Sequence, residues 1–485
     1  MNRELDLYTT SDIKTVETYR TTTLHIPEHD IVIHSGNVIW SFVKKYYPNV
    51  TSFLVLTGKG INAADGFEFA HIAKKNGAKV IIWQSGPVES FKYPTDLFYR
   101  QSLLEGITIL KDNPEGVFFD LVVDCLIGTG LSGDTRLEYH KAIQYANSVD
   151  IPTLSIDVPS GICANTGRKS EYSIKADKTL TFIASKPGLH IGEGKTHAGD
   201  VHLDYLKVVD REFDMIHPVA KLIDHTKVKK PVGYFYLENN TKKVLIFGGD
   251  RDLTHDCILC SQVCAIQGGV TVDLAVNPFS VKKIHMCHPE LRCHIVESSY
   301  DIHHLINAYD VVVIGPSMGK SNWSEMVFHS VVNSEKPMVF CSDALHFVTG
   351  PLGKKVVVIS NDRSAGKILD CTHQVVIDDR LTCSQNLTSK LEATVILVGN
   401  GIIVSDDKHT MVGGPKFNSD LDHMDHLIAG VLGGLMTQID LQMKSSIVAL
   451  DTIATAIDLS LKQNNDIAIQ HEHVLTALRD LLYSE

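Results

Sequence analysis

Two aspartates stand where a chain of this kind can do proton chemistry. Asp124 closes the apolar run Phe119-Asp-Leu-Val-Val-Asp124 and is followed by Cys125-Leu-Ile-Gly128-Thr-Gly130-Leu-Ser-Gly133. Asp157 closes Pro152-Thr-Leu-Ser-Ile-Asp157 and is followed by Val158-Pro159-Ser160-Gly161. An apolar run ending in a carboxylate and a Gly/Ser/Pro turn is how a buried parallel strand presents a polar group at its C-terminal edge. Ligands of open α/β sheets bind at those edges, where glycine lets backbone approach closely. Two similar edges point to one pocket, in which a carboxylate can take a proton and return it. Read alone, each aspartate serves equally well as the cap of its turn. Lys186, in Ala184-Ser-Lys186-Pro187-Gly188, reads either as a pocket lysine or as a loop lysine in solvent. The loop Gly58-Lys-Gly60-Ile-Asn62-Ala-Ala-Asp65-Gly66 brings backbone N–H groups to a helix start, which suits an anion or an ordinary turn. Its glycines are out of register with the dinucleotide pattern GxGxxG.

These groups need a parallel sheet to hold them. Ser52–Thr57 reads as a strand, the glycine loop follows, then a helix with Phe67, Ala70, Ile72 and Ala73 on its apolar face, then the strand Ala78–Trp83. This is a βαβ unit, whose right-handed crossover makes the strands parallel. Further strands are expected at Phe118–Leu126, Thr153–Asp157, Lys178–Phe182 and Val201–Tyr205, with helices capped by Ser11 or Asp12 to about Arg20 and over Asp30–Tyr47. The pattern lapses between Lys207 and Lys243, which places a boundary near residue 220 and gives domains 1–219 and 220–485. A second alternation follows, with strands at Val244–Gly249, Val270–Val276, Asp310–Pro316, Pro337–Asp343, Val356–Ser360 and Ala393–Val398. Helices are expected from about Thr254 and over 422–438, 445–462 and 471–483. The fold class is α/β, with helices on both faces of mostly parallel sheets.

Composition narrows the function. At 485 residues the length allows about three domains. A hydrophobic share of 44% and a charged share of 21% are those of an ordinary globular chain. A net charge of −12 without a Lys/Arg cluster argues against nucleic acid. The first residues carry no export or transit pattern, and no apolar run reaches membrane-spanning length. Ten scattered cysteines suit a reducing cytoplasm. Cys257, Cys260 and Cys264 fall on one helical stripe, the spacing of core packing. His285, Cys287, His288, Cys293 and His294 are ligand types without a zinc frame.

Five motifs in order are distinctive together: Gly58-x-Gly-x-Asn62-x-x-Asp65-Gly66, Asp124-x-x-x-Gly128-Thr-Gly130-Leu, Asp157-Val-Pro-Ser-Gly161, Lys175-Ala-Asp177 and Lys186-Pro-Gly188. They resemble the epimerase half of the bifunctional NAD(P)H-hydrate repair enzymes. The resemblance implies a Rossmann-like three-layer domain that interconverts the R and S epimers at ring carbon 6 of hydrated NADH and NADPH. It also implies a potassium ion held by Asn62, Asp124 and Ser160. Ile61, Asn62, Ala63, Ala64, Asp65, Gly128, Thr129, Gly130, Leu131, Ser132, Gly133, Asp134 and Asp157 would line the substrate site. Asp157 is the expected proton-transfer base, with Lys186 as its partner or a phosphate contact. The family's Asn-Asn-Gly-Gly-Asp-Gly is here Ile61-Asn62-Ala63-Ala64-Asp65-Gly66. A left-handed alanine would cost roughly 1–2 kcal/mol, whereas alanine inside a helix start is harmless.

The second half resembles the ribokinase-like dehydratase half of the same enzymes. The carrying pieces are Gly248-Gly249, His288-Pro289-Glu290, Gly315-Pro-Ser-Met-Gly319, Ser342-Asp343-Ala344-Leu345, and Asp425 before the apolar helix Leu427–Leu435. They imply removal of water from the S epimer driven by ADP, or ATP in eukaryotic relatives, with Gly319 at the substrate and Asp425 catalytic. Several positions depart. Gly-Thr-Gly-Asp is Asp422-His423-Met424-Asp425, beside Asp420; Thr-Pro-His-Pro-Gly-Glu is replaced by Ser360–Gly366; and a lysine is Val398. A unit charge near 4 Å from a phosphate costs about 4 kcal/mol at intermediate dielectric. The expectation is a competent epimerase, a weakened dehydratase and a homo-oligomer in the cytoplasm. The alternatives are an epimerase with a structural second domain and a non-catalytic scaffold. Retention of Asn62, Asp124, Asp157 and Ser160 favours the enzyme.

Overall fold

Seven parallel strands carry the first half of the chain. The computed structural model describes residues 3–114, 116–131, 133–228, 242–413, 424–463 and 470–483. The chain divides into two units, Met1–Leu222 and Ile223–Glu485. In the first, β1 (Asp6–Leu7) pairs antiparallel with β9 (Ala220–Leu222). The main sheet comprises β2 (Ser52–Thr57), β3 (Lys79–Gln84), β4 (Thr108–Leu110), β5 (Leu121–Cys125), β6 (Thr153–Ile156), β7 (Lys178–Phe182) and β8 (Asp200–Asp204). Its order is β4-β3-β2-β5-β6-β7-β8, parallel throughout.

Strand alternation divides the sheet's apolar residues between two helix layers. Phe53, Val55 and Val123 meet Phe67, Ala70 and Ala73 of the helix Ile61–Lys75. Leu54, Leu56 and Val122 meet Tyr139, Ala142 and Ile143 of the helix Leu137–Ser148. Burial on both faces explains why these strands are apolar at nearly every position. The result is a three-layer α/β/α unit. Its strand order reverses between β2 and β5: the chain leaves β2 toward β3 and β4, then returns to the other side. Such a switch point opens a crevice beyond the carboxyl ends of the two strands.

Two local expectations change. The first helix is capped by Thr9 in a reciprocal capping box with Asp12 and runs over Thr10–Thr22. The glycine loop is shorter than its composition suggests, because the helix begins at Ile61 with Gly60 as its N-cap. Ala63 and Ala64 therefore sit in the first helical turn and cost nothing in backbone strain.

The second unit repeats the scheme. It contains β10 (Lys242–Phe247), β11 (Val270–Val276), β12 (Arg292–Ile295), β13 (Val311–Ile314), β14 (Met338–Cys341), β15 (Val356–Ser360), β16 (Thr394–Leu397), β17 (Ile403–Ser405) and β18 (Thr410–Val412). Strands β12-β11-β10-β13-β14-β15-β16 run parallel in that order, followed by antiparallel β17 and β18. The order again reverses, here between β10 and β13. Cys257, Cys260 and Cys264 are fully buried in the core with Val244, Val313 and Leu427. The helix Met424–Leu435 lies close against the helix His255–Ile266, since a Cβ on Gly430 would sit 2.6 Å from the Cys260 carbonyl oxygen. Among the described residues no helix is long and apolar enough to cross a membrane.

Candidate active site

The crevice beyond β2 and β5 is a pocket of about 520 Å³, within the usual range for small-molecule sites. Its wall from β2 is Lys59, Gly60, Ile61, Asn62 and Asp65; its wall from β5 is Leu126 to Leu131, with Asp134 and Arg136 beyond. The two walls cross at Gly58, where a Cβ would lie 2.1 Å from the Leu126 carbonyl oxygen. Only glycine permits that approach.

Asp157 enters from the end of β6 in a left-handed conformation, φ +70°, which is uncommon for a residue other than glycine and is tolerated best by Asn and Asp. Its N–H donates to the Leu180 carbonyl at 2.8 Å, which holds the turn against β7. Asp157 Oδ1 accepts from Lys186 Nζ at 2.5 Å and Oδ2 from the Thr129 N–H at 3.2 Å. Lys186 is 1% exposed, and Nζ also donates to Thr181 Oγ1 at 2.7 Å and to the Phe182 carbonyl at 2.9 Å. All three ammonium protons are thereby placed. The loop-lysine alternative is thus overturned: Lys186 is a buried partner of Asp157 and has no proton left for a phosphate.

Asp124 and Ser160 lie beneath the pocket floor, both fully buried. Asp124 accepts from Ser160 Oγ at 2.6 Å, the Ser160 N–H at 2.9 Å, Ser155 Oγ at 2.8 Å and the Leu126 N–H at 3.2 Å. Burial pushes this carboxyl up, and those hydrogen bonds oppose it. Asp65 is 7% exposed and pushed up to about 8, by burial first, with the charges of Asp157 and Glu17 adding. Confinement within the pocket and then the Asp157 charge push Glu17 upward too, although solvent still reaches its side chain.

The structure brings together Ile61, Asn62, Asp65, Gly128, Thr129, Gly130, Leu131, Asp134, Asp157 and Lys186. Ala63 and Ala64 instead face the core at 0% exposure, a consequence of the earlier helix start. Gly133 lies outside the lining, and Ser132 lies outside the described residues. Lys14 and Glu17 of the first helix, Lys59 and Arg136 also line the pocket. Lys59 and Arg136 stand inside and just after glycine turns, a signal the residue pattern held; Lys14 and Glu17 had none.

In the second unit, groups gather past β10, β13 and β14. The Gly319 N–H donates to Asp343 Oδ2 at 2.8 Å, and the Asp250 N–H donates to the Ser317 carbonyl at 3.0 Å. Asp425 opens the helix Met424–Leu435, with Oδ1 3.7 Å from His426 Nε2, which is itself 3.5 Å from Asp256 Oδ2. Ser317 Oγ donates to Asp256 Oδ2 at 3.1 Å, linking this cluster to the Gly319 turn. Val398 is buried, and Arg380 behind it is 1% exposed, ion-paired to Asp362 and donating to the Leu397 and Val398 carbonyls. Asp420, Asp422 and His423 lie outside the described residues.

A family model of the YjeF-related protein N-terminus matches residues 28–188, and one of NAD(P)H-hydrate dehydratase matches residues 244–479. The NAD(P)H-hydrate epimerase of Legionella pneumophila is 30% identical over 225 residues, 44% of this chain and 82% of that protein. The chain belongs to the NAD(P)H-hydrate repair enzyme family. Two bifunctional NAD(P)H-hydrate repair enzymes match across both units. That of Coxiella burnetii is 27% identical over 85% of this chain and 86% of its own. That of Escherichia coli is 28% identical over 88% and 84%.

Asn62, Asp124 and Ser160, expected from the resemblance to hold potassium, fit a cation in one observed respect. Asn62 donates from Nδ2 to the Ile156 carbonyl at 3.2 Å, while its Oδ1 is buried with no hydrogen-bond partner among the described residues. An orphaned buried oxygen is costly unless something binds it. The donor set is all oxygen, the chemistry of a hard cation.

Asp65 gives a stability test. Its ordinary value is 3.8 and its folded value about 8. Between them the unfolded chain has lost the proton and the folded chain keeps it, so stability falls as pH rises through that window. Asp65→Asn removes the titration. The variant should exceed the parent by up to roughly 5 kcal/mol at pH 8 and match it near pH 4, read from urea midpoints of the first unit. A pH-independent difference would contradict the buried, protonated state.

Proposed function

We propose that this chain repairs hydrated NADH and NADPH. The first unit interconverts the R and S epimers, and the second removes water from the S epimer with ADP or ATP at a reduced level. The observation that supports the epimerase most directly is the Asp157–Lys186 pair in the wall of the switch-point pocket. The reacting carbon bears a hydroxyl beside a ring nitrogen, so losing and regaining its configuration moves a proton off oxygen and back. Asp157 Oδ1 is occupied by Lys186, whereas Oδ2 accepts one backbone N–H and keeps a lone pair for that proton. Lys14, Lys59 and Arg136 give the lining cationic groups suited to the phosphates of a dinucleotide. Asn62, Asp124 and Ser160 would hold potassium, whose charge would offset the buried carboxylate.

Asp157→Asn should slow epimerisation by ~10²-fold or more with the fold retained, followed by chromatographic separation of the two hydrates. A near-normal rate would remove Asp157 from the reaction. For the ion, crystals soaked in rubidium should show anomalous density beside Asn62 Oδ1; density confined to other places would mean the residues persist without the site.

A second reading confines catalysis to the first unit. It is favoured by Val398 at the position of a family lysine and by Arg380, whose charge is spent on Asp362 and backbone carbonyls. Calorimetry of the full chain with ADP should give a Kd weaker than about 100 μM. Micromolar binding would restore full bifunctionality.

A further inference from the structure

The pocket holds a second buried carboxyl whose surroundings differ in kind from those of Asp157. Asp65 begins the second turn of the helix Ile61–Lys75 and lines the pocket. Asp157 rests on the Lys186 ammonium, whereas among the described residues no lysine, arginine or histidine forms an ion pair with Asp65. Asp65 Oδ1 is hydrogen-bonded to Ser35 Oγ, and that hydroxyl also lies 2.9 Å from the Val32 carbonyl oxygen. Ser35 Oγ is the donor to Oδ1, so a proton on this carboxyl sits on its other oxygen, away from Ser35.

The anions facing Asp65 favour its neutral form: the first helix contributes Glu17 and the turn after β6 contributes Asp157. The neutral Cys125 thiol of β5 lies behind Gly66, and the pocket rim carries Glu28 and the opposing charge of Lys14. Lys186, a buried cation of the same pocket, is fully committed to Asp157, Thr181 and Phe182. Burial keeps Asp65 protonated up to about 8. Two carboxyls in surroundings this different, one resting on an ammonium and one without an ion-paired cation among the described residues, can divide the roles of base and acid.

We propose that Asp65 is the general acid of the epimerisation, and that it exchanges a proton with the ring nitrogen while Asp157 serves the hydroxyl. The proposal rests on the epimerase reading. In the forward half, Asp157 takes the hydroxyl proton and the oxygen becomes a carbonyl. The carbon–nitrogen bond breaks, its electron pair goes to nitrogen, and Asp65 gives nitrogen a proton. The freed carbonyl turns its other face. Nitrogen then attacks that face, its proton returns to Asp65, and the alkoxide recovers the proton from Asp157. Every proton and electron pair is restored, with no co-reactant. Asn62 and Asp65, one helical turn apart, explain why this wall is built from a helix start: both side chains reach one pocket.

The test uses the full chain and two readouts. Infrared difference spectra between the parent and Asp65→Asn at pH 7 should contain a carboxylic-acid carbonyl band that disappears above pH 9. The amide keeps the shape of the neutral acid and an oxygen that accepts from Ser35, so the variant should fold. Its kcat for epimerisation should fall ~10²-fold while KM stays within about twofold, and the parent's kcat should decline on the alkaline side with a midpoint near that of the band. A variant with parental kcat, or a spectrum without the acid band, would overturn the proposal. A parent chain that leaves both hydrates unchanged while showing the band would instead overturn the epimerase reading, and the catalytic role with it.

Discussion

The ion pair of Lys186 with Asp157 is the constraint around which the first unit is arranged. An ammonium at 1% exposure has left water entirely, and such a group is tolerated only with its charge matched and its protons placed. Asp157, Thr181 and Phe182 meet that demand from the ends of two adjacent strands. Removing one partner of a buried pair costs about 3–5 kcal/mol, so β6 and β7 are tied in register by the same contact that orients the proposed base. The left-handed turn at Asp157 is maintained from the same side, through its N–H to the Leu180 carbonyl.

Much of the site was readable in the residues because the sheet writes it in a fixed grammar. Apolar runs buried on both faces end at glycine turns, and the polar residue at each end points into the crevice. Asp157, Gly128 to Leu131 and Asn62 follow that grammar. What failed to show was the helix start. Gly58 to Gly66 has the composition of a loop, yet the backbone turns helical at Ile61 because Ala63 and Ala64 can be packed against the core. Their methyl groups therefore mark packing, whereas the composition marked lining. Lys14 and Glu17 were hidden for a different reason: charged residues on a surface helix look alike whether they face solvent or a pocket. Lys186 needed the fold, since the same turn residues describe an exposed loop and a sealed one.

The second unit has a switch point of its own. The reversal between β10 and β13 is present, and Gly319, Asp343, Asp250 and Ser317 still hold one another there. The late strands tell another story. Val398 is apolar and buried, and Arg380 is turned inward to Asp362 and the carbonyls at the end of β16. The hairpin of β17 and β18, absent from the sequence expectation, consists of three-residue strands whose short apolar runs carry no periodic signal.

The crossing at Gly58 has a mechanical meaning. With the Leu126 carbonyl filling the space a side chain would take, the loop leaving β2 and the loop leaving β5 have no slack between them. A side chain at residue 58 would force the two loops apart, and with them the Ile61 rim from Thr129, whose N–H fixes Asp157.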